Sequence, residues 1–483
     1  MTQSDGLARR FAKNTTALAL GGVFAQTAII LVEVLMARGL GTEAYGIFAT
    51  THAFTILAIL VFDLGSTAWT IQEGSRHPKQ LAALFGNSLL LKTTAFAVLY
   101  AVLLFMLPFT SLDSEIRVFV AVFALYGFGL ALVDSLASVY TASQEMHINA
   151  LFQALSPLAI LCVYLVVSLD GRSLLDAALA FVIGSVSIGM IWLAWTWRNR
   201  LRPAARVREA LSLARQSYHY GISSVLRQVY YKTDIVMVAF LVGAAEAGVF
   251  AAALKFLDFF YKIPLLLSRV VSPALFAESR TSDPNQSYET LVSIYSRYLV
   301  VLGAFAALVT YLSADTLVEL AFGDAYASSG SILRILSMVM VLKCMMIVCE
   351  GVLSSLGAHT VRWASFATTV VINIVLNLIL VPRYGAEGAA IATVLSGALL
   401  VGQFVVLGFG RRRVLSALAW FGLPSLATIA IAAAVGLVSV PFPLDVLAAV
   451  AVLAIALIAS GVVRLSELQR FGAAALGKAA PTE

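Results

Sequence analysis

The sequence predicts an all-α polytopic membrane protein with about fourteen transmembrane helices, as two parallel six-helix lobes plus two C-terminal helices. Three observations carry this expectation. The 483 residues are 60% hydrophobic and 12% charged, against about 25% charged in a soluble domain. The apolar residues gather into runs of the roughly 20 residues that cross a bilayer. One stretch of the chain recurs later at a fixed offset.

Apolar runs broken by turn residues place the spans at 14–37, 44–70, 81–107, 118–143, 150–168, 177–197, 216–242, 247–276, 290–312, 328–356, 361–381, 387–409, 414–438 and 445–463. The connections are too short for an extramembrane domain of even about 50 residues. Lysine and arginine in alternate connections set the orientation. With the N-terminus in the cytoplasm, the inner connections and tails hold nineteen of them and the outer connections four. The remaining nine of the 32 lie within spans. Both termini are therefore expected on the cytoplasmic side.

Gln26–Thr50 aligns with Gln228–Ala252 at an offset of 202, bringing Gly41 onto Gly243, Gly46 onto Gly248 and Phe48 onto Phe250. His147 aligns with His359 at an offset of 212. The first repeat pairs span 1 with span 7, so both halves have the same orientation, with a substrate site expected between the lobes. The lobes are expected at 1–197 and 216–409, joined by a basic cytoplasmic linker at 198–215 and followed by spans 13 and 14 and a tail at 410–483. The linker reads as an amphipathic helix lying on the membrane surface. Spans 13 and 14 read as peripheral and lipid-facing.

The net charge of +6 is no nucleic-acid footprint, because the basic residues sit mostly at the ends of apolar runs. Cys162, Cys344 and Cys349 all lie in apolar runs and imply neither a disulfide nor a zinc framework. Lys13 is followed by a long first span with no small-residue cleavage site, so no secretory signal is expected. The histidines have no metal spacing, and no metal or resident cofactor is expected. GLGTEAYG (Gly39 to Gly46) and VGAAEAG (Val242 to Gly248) read as helix ends and turns; no strand precedes them, which excludes a nucleotide loop. Pro382 is expected to stop span 11 and Pro264 to kink span 8.

Spans 7 and 8 carry charge that a bilayer does not tolerate on a lipid-facing helix. Arg227, Lys232 and Asp234 lie on the first, and Lys255, Asp258, Lys262 and Arg269 on the second. Lys255, Lys262 and Arg269 recur every seven residues, on one stripe. Five cations against two carboxylates leave an excess suited to an anionic head group such as a pyrophosphate, with arginine offering paired donors and lysine a movable point charge. Arg227, Lys232, Lys255, Lys262 and Arg269 are therefore the candidate substrate-binding cations. The alternative is internal pairing, Lys255 with Asp258 or Arg227 with Asp234. Glu33, Asp63, Asp134, Asp234, Asp258, Lys343 and Glu350 stand as candidates for coupling a proton or sodium ion, or for pairing with Lys92, Arg334 or Lys343.

The first hairpin, Ala17 to Ala49, and the C-terminal hairpin NIVLNLILVPRYGAEGAAIATVLS, Asn373 to Ser396, resemble those of the polysaccharide transporter family of oligosaccharide flippases. Asn377, Pro382, Tyr384, Gly385, Gly388, Ala389, Ala390 and Ala392 carry the sharper match. The resemblance covers nearly the whole chain and marks fold better than substrate. The superfamily also holds multidrug extruders and lipid II flippases. The resemblance implies a bacterial inner-membrane protein that moves a polyprenyl-(pyro)phosphate-linked oligosaccharide outward by alternating access. Its implied partners are that lipid-linked sugar, membrane lipid and other polysaccharide-assembly proteins, with no nucleic acid. Lipid II flippases carry arginines in the first span, where this chain has no cation between Lys13 and Arg38. That points away from lipid II. A cation-coupled drug extruder is the alternative, although an acidic cavity would suit it better. An enzyme is not expected: no outer connection pairs carboxylates with a basic clamp.

Overall fold

In a computed structural model, residues 3–170, 172–279, 286–409 and 444–459 are described. These residues contain helices and no strand. The helices are α1 (Gln3–Asp63), α2 (Ser66–Arg76), α3 (Leu81–Met106), α4 (Ser114–Ala142), α5 (Met146–Val167), α6 (Leu174–Asn199), α7 (Val207–Val242), α8 (Ala244–Glu278), α9 (Gln286–Leu312), α10 (Ala314–Phe322), α11 (Ser329–Ser355), α12 (His359–Phe409) and α13 (Leu444–Ala459). Among them eight stretches are long and apolar enough to cross a membrane. Two of these, Gly21–Leu60 and His359–Leu407, have 40 and 49 residues, enough to cross twice. The helices α7 and α8, with 36 and 35 residues, have the length but carry the charges. The chain is a multi-pass membrane protein.

Each double-length helix is broken at one glycine. In α1 it is Gly41, at φ 79° and ψ 176°. In α12 it is Gly385, at φ 57° and ψ −141°. Span 11 was expected to stop at Pro382. The helix instead runs on to Gly385, because proline keeps a helical φ whereas the reversal needs a positive one. Past Pro264, too, α8 continues in helix. The basic linker is not a separate surface helix. Arg198 and Asn199 end α6, residues 200–206 are irregular, and Val207 starts α7, which runs into span 7 without a break. Span 13 lies outside the described residues.

The chain divides into two compact units. The first comprises Met1–Lys255, Ala321–Tyr326 and Phe366–Ala389. Its core is aromatic. Phe48, Phe123 and Phe181 meet with ring centroids 5.1–5.8 Å apart, and His52 lies against all three. Trp192 stacks on Phe152 at 4.6 Å and on Tyr140 at 5.5 Å, inside a cluster with Leu132, Leu136 and Phe85. Such pairs add about 0.5–1.5 kcal/mol each beyond their buried area.

The two repeated hairpins also meet in this unit. A methyl group added at Gly46 would strike the Ala244 carbonyl, and one at Gly248 would strike the Thr42 carbonyl. Thr42 and Ala244 are themselves repeat partners. The contact is therefore reciprocal, as at an isologous two-fold interface. Only glycine lets the backbones approach this closely.

The second unit comprises Phe256–Leu320, Ala327–Ser365 and Ala390–Glu483. In it α11 packs on α9, with Gly303 against Val341 and Cys344. Ala449, Leu453 and Leu457 of α13, one turn apart, close on Val301, Ala304 and Leu308. Leu447, Val452 and Ile455 on the opposite face are exposed. The helix α13 thus buries one face and leaves the other exposed.

Candidate functional site

The buried charges of the first unit form three settled groups. At the first, Glu33 of α1, 3% exposed, pairs with Lys255 of α8. Tyr45 donates its hydroxyl to Glu33 Oε2 at 3.2 Å. Lys255 therefore pairs across 222 residues. The docking of α1 supplies this counter-charge. Breaking such a pair leaves an uncompensated buried charge, which costs about 3–5 kcal/mol.

The second group centres on Asp234, which is buried in α7. The Asn377 amide of α12 donates to its Oδ1 at 2.7 Å and to the Asn373 carbonyl at 2.9 Å. Nearby, Glu246 in the first turn of α8 accepts from the Ala386 amide at 3.2 Å, just past the Gly385 break. A carboxylate at a helix N-terminus satisfies an amide left over by the helix and complements its dipole. The Asn and Gly of the C-terminal motif are thus polar and turn chemistry within this unit. The partners of both residues stand more than a hundred positions away, beyond the reach of local spacing.

The third group is Asp63, Lys92 and Thr67. Lys92, 2% exposed, reaches Asp63 Oδ1 at 2.8 Å and donates to Thr67 Oγ1 at 2.7 Å. Asp63 Oδ1 also accepts from the Thr67 amide at 3.1 Å, so it caps α2. Lys92, one of three cations expected as partners for the buried carboxylates, thus meets Asp63. Asp134 stands apart. From Ala131 to Tyr140 it is the one exposed residue in an otherwise buried stretch of α4.

Of the candidate cations, Arg227 is exposed and Lys232 and Lys262 are half-buried. The side chain of Arg269 lies outside the described residues. Arg227 and Asp234 share a stripe of α7, but one is exposed and the other buried. In the second unit, Lys343 lies 3.9 Å from Asp258 and 4.9 Å from the centre of the Tyr261 ring. Glu350 follows two turns later on α11, half-buried. Arg334 pairs with Asp315. The segment around α10 that leads into α11 is also built: Tyr326, fully buried in the first unit, donates to the Ala37 carbonyl at 3.0 Å, and Arg38 donates to the Ala321 carbonyl at 2.8 Å.

Comparison with known proteins agrees with this architecture. The chain is 25% identical over 236 residues to the probable low-salt glycan biosynthesis flippase of Haloferax volcanii, covering 48% of each chain. It is 26% identical over 195 residues to the probable flippase AglR of the same organism, covering 39% of this chain and 40% of that one. The matched part thus spans about half the length of these relatives, or less. In fold it is similar to the lipid II flippase MurJ in an inward closed conformation, at TM-score 0.71 and 12% identity over 91% of this chain and 98% of that one. It is also similar to an inward-facing multidrug resistance MATE transporter of the MOP superfamily, at TM-score 0.63 and 16% identity over 81% and 95%. All of these are transporters, and none is an enzyme. The family described as polysaccharide biosynthesis protein matches residues 11–277, more than half of the sequence and all of the hairpins built around Gly41 and Gly243, and the chain belongs to that family.

Proposed function

We propose that this protein is a flippase that moves a polyprenyl-(pyro)phosphate-linked oligosaccharide across the bacterial inner membrane by alternating access, for surface polysaccharide assembly. Both termini lie in the cytoplasm in this reading, as the distribution of lysine and arginine requires. The lobes are those of the repeat, 1–197 and 216–409. One observation carries the proposal. The region that defines the family, residues 11–277, includes the two membrane-length helices that hold Arg227, Lys232, Lys255, Lys262 and Arg269. A phosphate-bearing head group is the natural counter-charge for such helices. Arg227 offers a fork for phosphate oxygens, and Lys232 and Lys262 offer point charges. Lys255 already meets Glu33, so its contact with substrate is an exchange of one anion for another. The carboxylates Glu33, Asp63, Asp134, Asp234, Asp258 and Glu350 remain the candidates for coupling to a proton or sodium ion.

The test is genetic and chemical. A deletion strain is complemented with wild type, Arg227→Ala or Lys232→Ala, with expression matched. Lipid-linked sugars are extracted and surface polysaccharide is quantified. The proposal expects the deletion and both variants to accumulate lipid-linked sugar and lose surface polymer. Unchanged polysaccharide together with altered sensitivity to cationic drugs would replace it with the extruder reading.

A further inference from the structure

One strongly charged surface takes no part in the flipping proposed above. It lies at the junction of α6, the irregular segment 200–206 and the start of α7. Six arginines fall between positions 198 and 215, and Arg76 and Lys79 stand at the connection that leads into α3. Two of the six are matched. Arg200 pairs with Glu145 and lies 5.5 Å from the Tyr140 ring centre. Arg206 pairs with Glu209 at 3.2 Å. Among the described residues, Arg198, Arg202, Arg208 and Arg215 meet no carboxylate, and all four are exposed.

These arginines are not on a loose tether. The Ala204 amide donates to the Ala82 carbonyl at 3.2 Å, and the Arg206 amide donates to Asn87 Oδ1 at 2.8 Å. Asn87 returns a bond from Nδ2 to Glu209 at 3.0 Å. The Ala204 backbone lies directly on Gly86, where no side chain would fit. The segment is pinned along the first turns of α3, so the guanidinium groups project from a fixed backbone.

The apolar neighbours give the depth. Trp195 and Trp197 are exposed at the end of α6, 38% and 55% accessible. Tryptophan exposed beside arginine marks the level of lipid head groups. On α7, Val207, Leu211, Tyr218 and Ile222 are exposed at helical spacing, and Arg208 and Arg215 run seven apart beside them. An apolar stripe next to a cationic stripe suits the end of a membrane-crossing helix that emerges at head-group level. Arginine binds phosphate in a bidentate fork, and its stem can lie along acyl chains.

We infer that Arg198, Arg202, Arg208 and Arg215 form a binding surface for the phosphates of anionic phospholipids in the adjoining leaflet, held in shape by the Asn87-pinned segment. The surface uses none of Arg227, Lys232, Lys255, Lys262 and Arg269, so this inference does not depend on which substrate is moved.

The experiment uses the purified full-length chain in neutral detergent. Its thermal midpoint and its binding of a fluorescent phosphatidylglycerol are measured as phosphatidylglycerol or phosphatidylcholine is added. Wild type is expected to be stabilised by phosphatidylglycerol, to respond little to phosphatidylcholine, and to lose the difference at high salt. Each Arg→Gln change is expected to weaken phosphatidylglycerol binding about fivefold, the worth of one basic residue near an anionic surface. Because removing all four charges can disturb insertion, Arg208→Gln/Arg215→Gln is measured as well. Asn87→Ala, which alters no charge, is expected to lower the preference for phosphatidylglycerol by loosening the segment. An equal response of wild type to the two lipids, or undiminished binding in the Arg208→Gln/Arg215→Gln protein, would overturn the inference. Displacement of the labelled lipid by inorganic phosphate alone would assign the surface to a soluble anion and overturn it too.

Discussion

At Gly41 the backbone stands at φ 79° and ψ 176°, and 202 residues later Gly243 stands at φ 107° and ψ 169°. Both values lie in a region that essentially only glycine occupies. Five positions on from each, Gly46 and Gly248 touch across the reciprocal contact. Turn and contact are thus the same in both hairpins, but the charges are not. Before its turn the first hairpin holds Glu33 and Arg38, and the second holds Arg227, Lys232 and Asp234, with Lys255 after it. Backbone geometry was kept through the repeat because packing requires it at both places. Charge diverged because each buried charge needs only a partner, and the partner can come from any helix that docks nearby. If that is right, the hairpins should respond alike to changes of glycine and differently to changes of charge.

The largest effect should come from the charge that joins them. Lys255→Met leaves Glu33 buried without its cation, and we expect a loss of about 3–5 kcal/mol. Adding Glu33→Gln should recover most of it, since removing both members of a buried pair is often close to neutral. Unfolding of the single and double variants in detergent measures both quantities. A Lys255→Met protein as stable as wild type would mean that the pair holds nothing together.

Next come Gly46→Ala and Gly248→Ala. The added methyl meets backbone, which cannot rotate away, so each should cost about 3 kcal/mol, the upper end for overpacking. The two costs should match. The double variant should cost less than both singles combined, because one relaxation serves both sites. Unequal singles, or strict additivity in a double-mutant cycle, would show that the sequence repeat is not a structural two-fold at this contact.

The repeat itself was legible, since Gly41 over Gly243 and Gly46 over Gly248 can be read from letters alone, and so was the all-helical membrane class. Partners were not legible. Local spacing could not offer Glu33 to Lys255, because helix docking decides contacts over hundreds of residues. Asp258 lies near Lys343 of α11. The break in α12 was misplaced by three residues because proline advertises a helix end more loudly than the glycine that makes it. The linker misled for a related reason: its amphipathic pattern is real, but nothing in 207–242 stops the helix, so it joins span 7.

A smaller effect belongs to the turns. Nothing lies within 4 Å of a methyl group built on Gly41 or Gly243, so alanine there is strained by backbone conformation alone. Gly41→Ala and Gly243→Ala should each cost about 1–3 kcal/mol, and by similar amounts. Calorimetric midpoints of the two proteins make the comparison. A tolerated alanine at one site and a costly one at the other would separate turns that now look equivalent.

The smallest effect should fall on Asp234, the carboxylate of the second hairpin that stands one position from the repeat partner of Glu33. Asn377 donates to it from a neutral amide. In Asp234→Asn the new amide oxygen can accept the same bond from Asn377. We expect a change of about 1 kcal/mol, well below that of Lys255→Met. Asn377→Leu should cost more than Asp234→Asn, because it removes the donor and leaves the buried carboxylate in place. Thermal midpoints of the three variants give the order. Should Asp234→Asn destabilise as much as Lys255→Met, the ionised form of Asp234 is what the fold holds, and the two hairpins are alike in charge after all.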